Sequence, residues 1–387
     1  MVSERTSSMS EKIPLNASDY PRRILIVRIG AMGDILHAMP AVAALRNLHP
    51  DWFIGWAIEP SWSSLLQSST DFNRSSDTAD RNETEPQTKP LIDQWHPFPA
   101  REWRRRPFAL STLSGIYSVR RQLKTCDYDI CVDMQGSLKS AIAGRMAAAP
   151  IYAGPAKPRE TPARWLYRQT IATHAVHVVE QGCELLGAAI GGTLTPAAVP
   201  LPVDPRAEAW CDRLLTQTSA VSGKFVFLAP TAGWGAKQWP AERYGAVAAA
   251  LGYAGYRTLV NEAHGHRFAD AVVNASGGFA VSVPCSVEQM IALVRRAGLV
   301  IAGDTGPLHL AAALERPVVG LYGPTDPARN GPFMDDSSKA KVLRHESSQT
   351  DHSRRASTET GLMQISVEEV VEAALELLHT RQDKVNV

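Results

Sequence analysis

The chain has 387 residues, of which 44% are hydrophobic, and a formal net charge of +1. That length exceeds one ordinary core and predicts two domains of roughly 150–200 residues. The near-neutral balance excludes a global field that would recruit nucleic acid or membrane, so any basic patch is local.

Residues 1–21 lack the apolar segment of a secretory signal and read as a disordered leader. "RILIVRI" (Arg23–Ile29) is an apolar strand, and Ile35–Leu48 has helical periodicity. "WFIGWAI" is the next strand. Residues 68–90 are polar and read as a mobile loop. "YDICVDM" (Tyr128–Met134) is a strand and Ser137–Ala148 a helix. After Ala188 an aperiodic Gly/Pro segment reads as a linker. The second half restarts the pattern, with strands "KFVFLAP", "YRTLVN", "GLVIAGD" and "PVVGLYG". Helices are expected at Ala241–Leu251, Ser286–Ala297, Pro307–Leu314 and Ser366–Leu378. This alternation predicts an α/β chain with one parallel sheet per half, facing across a cleft. The expected boundaries are 22–190 for the first domain, 191–205 for the linker and 206–387 for the second. No apolar run approaches the ~20 residues of a membrane span. The five cysteines (Cys126, Cys131, Cys183, Cys211, Cys285) have neither metal-ligand spacing nor a disulfide framework, which fits a reducing cytoplasm.

Three stretches carry candidate chemistry. "GAMGDILHAMP" (Gly30–Pro40) places a glycine turn after the first strand, where many α/β proteins hold a phosphate. A dinucleotide turn, with Glu59 as the ribose acid, needs G-x-G-x-x-G, and only Gly30 and Gly33 are present. Asp34 would also repel a pyrophosphate there. Asp34 is therefore either a helix cap or a reactive carboxylate. "APTAGWGAKQWP" (Ala229–Pro240) carries one cation, Lys237, between Trp234 and Trp239. It is either a solvated charge or an anion contact. "IAGDTGPLHLAAALERPVVGLYGPTDP" (Ile301–Pro327) ends a strand at Asp304. Thr305 or Gly306 can cap the next helix, whose free N–H groups suit a diphosphate. His309 can point at the same ligand, although taken alone a packed core histidine is the better reading.

These stretches, with "DMQGSLKSA" and "AKQWPAERY", resemble glycosyltransferase family 9, the ADP-heptose:lipopolysaccharide heptosyltransferases, from about Arg22 to Leu378. "REWRRRPF", "PRETPARWLYRQ" and "HVVEQ" are most similar to the heptosyltransferase I branch. The resemblance implies the GT-B fold, two Rossmann-like domains with parallel sheets facing across a cleft. It implies inverting transfer of heptose from ADP-heptose to Kdo (3-deoxy-D-manno-octulosonic acid) on lipid A, with no metal and no cofactor. It implies a cytoplasmic protein in peripheral contact with the inner membrane surface.

By the same resemblance Asp34 is the base, and Thr231, Lys237, Asp304, Thr305, Gly306 and His309 bind the donor, Lys237 assisting catalysis. Gly33, Arg101, Arg104, Arg105 and Arg159 face the acceptor. Two departures stand out. Where the family holds the ribose with a glutamate after a glycine-rich loop, no carboxylate follows Gly265 until Asp270, so that contact stays open, with Glu262 a candidate. Gln181 replaces an acceptor-side arginine. A heptosyltransferase II, a transferase for another nucleotide-sugar, a catalytically silent binding protein and a dehydrogenase are the competing readings.

Overall fold

The computed structural model describes residues 22–67, 89–261, 267–351 and 355–385. The expected leader, all but the last two residues of the expected 68–90 loop, and Glu262 and Gly265 lie outside the described residues. In the first half β1 (Arg23–Val27), β2 (Phe53–Ile58), β3 (Gln94–Pro97), β4 (Ile130–Asp133), β5 (Ile151–Pro155) and β6 (Gln169–Ile171) form one sheet. Its order is β3-β2-β1-β4-β5-β6, and every pairing is parallel. The helices are α1 (Met32–Leu48), α2 (Ala100–Arg105), α3 (Leu110–Thr125), α4 (Leu138–Ala147) and α5 (Val178–Ile190).

The second half begins with α6 (Pro205–Thr218) and adds α7 (Ala241–Tyr253), α8 (Arg267–Ala275), α9 (Val287–Arg296), α10 (Gly306–Ala313) and α11 (Val367–Val385). Its strands are β7 (Phe225–Ala229), β8 (Arg257–Val260), β9 (Ala280–Ser282), β10 (Leu299–Gly303), β11 (Val318–Tyr322) and β12 (Ala340–Arg344). They are ordered β12-β11-β10-β7-β8-β9, again all parallel. Counted within its own half, each sheet has the same doubly wound order.

Parallel strands covered on both faces must be apolar throughout. Four of the five residues of β1 and all those of β7, β10 and β11 are buried. Alternate residues divide between layers. Ile24 and Ile26 face α1 and α5, while Leu25 and Val27 face α3 and α4. In the second sheet Phe225 and Phe227 join the layer of α6, α9 and α10, and Val226 and Leu228 that of α7 and α11. One continuous core joins α1 and α5 to α9 and α10, so helices of the two halves pack between the two sheets.

Candidate active site

In a doubly wound sheet, ligands bind at the carboxyl ends of the strands where the order reverses. Here the reversals fall between β1 and β4 and between β7 and β10. The loops at these points are the ones singled out from the sequence. They meet because α1 and α10 touch at their N-terminal turns. A Cβ placed on Gly33 would stand 2.8 Å from the His309 ring, and one on Gly306 would stand 2.6 Å from Met32 Sδ. Gly33 thus lets the two halves approach.

α1 begins at Met32, three residues before the expected Ile35, so Asp34 is its third residue. The cap reading holds in part, because Asp34 Oδ2 accepts the Ala31 N–H at 3.1 Å. The other oxygen lies 3.1 Å from Arg28 Nη2, and the Asp34 side chain is 34% exposed. Arg28 Nε also donates to the Asp34 carbonyl at 3.0 Å, and its Nη1 donates to the Met134 carbonyl. One guanidinium therefore fixes the carboxylate and ties β1 to the loop after β4. Gln135 completes this frame by accepting the Ile29 N–H at 2.8 Å. Buried Asp133 holds that loop, accepting from the Gln135 and Gly136 N–H groups and from the Ser140 and Tyr167 hydroxyls. Burial raises the Asp133 carboxyl, opposed by these donors. Arg28, Asp133 and Gln135 were not predicted as site residues. The available signal was polar residues terminating two adjacent apolar strands.

Lys237 is neither lone nor solvated. Its ammonium lies 2.5 Å from Asp304 Oδ2 and 5.2 Å from the Trp234 ring centroid. Asp304 Oδ1 meets His309 Nε2 at 3.0 Å, and His309 Nδ1 meets His37 Nε2 of α1 at 3.1 Å. A carboxylate only accepts, so Nε2 of His309 carries the proton; with both rings neutral, its Nδ1 accepts from His37. Burial would raise the Asp304 carboxyl, but the His309 hydrogen bond and the Lys237 charge hold it well below the usual carboxylate range. Burial lowers His37 well below the usual histidine value; a charge on His309 would lower it further, and the Arg28 guanidinium does. His309 is buried, as the packed-core reading expects, yet its partners are polar and span both halves.

Thr305 occupies the N-cap position of α10 without a side-chain cap bond, its hydroxyl donating instead to the Gly303 carbonyl. Pro307 has no N–H, and the Leu308 and His309 N–H groups donate to the Thr305 carbonyl at 3.1 and 3.4 Å, so in this first turn it is the Gly306 N–H that keeps its capacity for an anion. Thr231 is half-buried in the loop after β7. That loop is braced from the distant C-terminal segment, where Ala236 N–H donates to the Arg355 carbonyl and Glu359 N–H to the Ala236 carbonyl. Sequence spacing gave no sign of this brace.

The basic residues gather at the opposite edge of the Asp34 loop. Arg101 lies 5.7 Å over the Trp62 ring, and its N–H donates to buried Glu59 at 3.4 Å. Arg104 and Arg105 are exposed on α2. Lys139 is lowered first by burial, opposed by Glu59 and reinforced by Arg159 and Arg104. Arg104, Lys139 and Arg159 therefore share one field around Glu59. Arg159 is exposed, and its backbone packs on Gly136.

A family model described as "Glycosyltransferase family 9 (heptosyltransferase)" matches residues 116–361. The chain belongs to glycosyltransferase family 9. It is accordingly a transferase. Lipopolysaccharide heptosyltransferase 1 of Salmonella typhimurium is 28% identical over 316 residues, covering 80% of this chain and 91% of the relative. The solved E. coli heptosyltransferase WaaC with ADP aligns at a TM-score of 0.70 and 23% identity, covering 92% of this chain and 99% of that one. E. coli ADP-heptose lps heptosyltransferase II aligns at 0.69 and 20%, with coverages of 93% and 99%. These likenesses bear out the GT-B fold. Among the described residues no three histidine, cysteine or acidic side chains are grouped as metal ligands, and no helix is long and apolar enough to cross a membrane.

Proposed function

We propose that this family 9 enzyme transfers L-glycero-D-manno-heptose from ADP-heptose to Kdo of a Kdo-lipid A acceptor in lipopolysaccharide core assembly, at the cytoplasmic side of the inner membrane. The observation that carries the reading is the meeting of two loops. The part-exposed Asp34 carboxylate, oriented by Arg28, stands at the turn that packs against Gly306 and His309 of α10, and Lys237 pairs with Asp304 just before that helix.

The donor diphosphate docks at the N-terminus of α10, on the Gly306 N–H, and on Lys237. A lysine has three N–H donors, so contact with Asp304 leaves donor capacity for a phosphate oxygen. Asp34 accepts the proton of the acceptor hydroxyl as that oxygen attacks the anomeric carbon. The bond from this carbon to the diphosphate oxygen breaks on the opposite face, ADP leaves and the centre inverts. Lys237 and the helix N-terminus supply the positive charge that the departing diphosphate requires, and transfer is expected to survive chelation. The arginines near Glu59 bind the acceptor's carboxylate and phosphates.

The test is transfer from ADP-heptose to Kdo-lipid A, compared with a heptose-terminated acceptor. Turnover restricted to the Kdo-terminated acceptor supports the reading. Preference for the heptose-terminated one moves the enzyme to the heptosyltransferase II reaction, and donor binding without transfer to either makes it a binding protein.

A further inference from the structure

The layer of α3, α4 and the 310 turn Thr161–Leu166 covers the face of the first sheet that points away from the second half. Val119, Leu123, Ala141, Ala143 and Ala163 fill the core beneath it. Directly opposite, the outer side of this layer carries large apolar side chains. On α3 the buried residues are Thr112, Val119 and Leu123, while Leu110, Leu113 and Tyr117 lie about half a turn away at helical spacing. Leu110 is 85% exposed and Tyr117 69%. Phe108, just before α3, is 92% exposed, and Trp165 in the 310 turn is 80% exposed. Leu138 and Ile142 repeat the pattern on the outer face of α4. Because these elements pack on one sheet face, their outer sides look in one direction.

The surroundings are cationic. Residues 100–168 contain thirteen lysines and arginines against five acidic residues, in a chain whose net charge is +1. Arg121 and Lys124 continue the outward stripe of α3, Arg145 that of α4, and Arg164 and Arg168 flank Trp165. Exposed aromatic and aliphatic tips within a ring of arginine and lysine match a bilayer surface, where apolar groups enter the headgroup boundary and cations meet anionic lipid. Exposed apolar side chains grouped on one face and rimmed by charge mark interaction or membrane sites, whereas single scattered ones do not.

We propose that this face, centred on Phe108, Leu110, Leu113, Tyr117 and Trp165, docks on an anionic phospholipid bilayer. It would present Arg101 and Arg104 of α2 and Arg159 of the segment after β5 to a membrane-borne acceptor while the donor half stays in water. The proposal deepens the functional reading and rests on it only for the acceptor.

The experiment is co-sedimentation of the full chain with phosphatidylglycerol-containing vesicles and with vesicles of phosphatidylcholine alone. Two variants accompany it, L113S/I142S/W165S and R120E/R121E, each checked for folding by thermal melting. Vesicle affinity is expected to favour the anionic surface, to weaken with salt, and to fall roughly tenfold or more in both variants. Turnover with a de-acylated, water-soluble acceptor should match wild type, while turnover with acceptor embedded in vesicles falls. Absence of binding, or unchanged binding in both variants, overturns the proposal. So does concentration-dependent self-association that the apolar variant abolishes, since the face would then be covered by a second copy. Vesicle binding with no heptose transfer would leave the surface standing and refute the reaction.

Discussion

At the residue scale, Asp34 holds two roles that one substitution separates. As a cap it accepts the Ala31 N–H, which an amide oxygen at the same position also accepts. As a base it needs the carboxylate. Asp34→Asn is expected to keep the fold and ADP-heptose affinity while turnover falls by about two to four orders of magnitude. Turnover within a few-fold of wild type would reduce Asp34 to a cap. Lys237 raises a different issue, because Asp304 is buried beside it. Removing one partner of a buried pair costs about 3–5 kcal/mol, since the other charge is left uncompensated. Lys237→Met should therefore lower both stability and donor affinity, and adding Asp304→Asn should recover most of the stability but not the turnover. Melting curves and ADP titration read the two effects independently. Full activity in the double variant would remove Lys237 from the donor site. The sequence exposed Lys237 as a cation after a strand end but not its pairing, because Asp304 lies 67 positions away.

At the element scale, α1 against α10 is the joint on which the site depends. Gly33→Ala places a methyl group against the His309 ring, a stiff neighbour held at both nitrogens. The expected result is loss of turnover well beyond any loss of melting temperature, because each sheet keeps its own core while the two loops move apart. Turnover near wild type would show that the joint yields without disturbing the loops. Gln135→Ala tests the frame from the other side by removing the acceptor for the Ile29 N–H. It should lower kcat with little change in donor Kd; equal kcat would make the glutamine dispensable. The strands legible in the sequence were the continuous apolar ones, β1, β2, β4, β7, β8, β10 and β11. Those that were not include all four edges, β3 (QWHP), β6 (QTI), β9 (AVS) and β12 (AKVLR). An edge strand is paired on one side only, so it tolerates proline and polar residues and loses the apolar signature. The site was legible to the extent that it sits at strand ends; Arg28, Gln135 and the 355–359 brace act through hydrogen bonds that no local spacing announces.

At the scale of the whole molecule, stability should depend on pH through buried histidines. His96 is fully buried against the Tyr128 hydroxyl, and burial pushes it down to about 4, while His37 is lowered in the same direction. A histidine with a folded value below its unfolded ~6.5 binds fewer protons in the native state. Its stabilisation is complete above about pH 6.5 and is lost as the pH falls toward the folded value; for His96 this amounts to about 3 kcal/mol. Denaturant midpoints should fall between about pH 7 and pH 5, and His96→Gln, which keeps a polar partner for Tyr128, should flatten that slope. An unchanged slope would place the titration elsewhere. The shared strand order of the two sheets has a consequence of another kind. Each half reverses its own order and so builds its own binding floor, with no strand lent by the other. On the proposed assignment of acceptor to the first half, its recognition can diverge by rewriting the segments at 100–108 and 156–168 while the β7 and β10 ends are inherited unaltered. Lineages of this architecture can exchange one ligand for another without relearning the second.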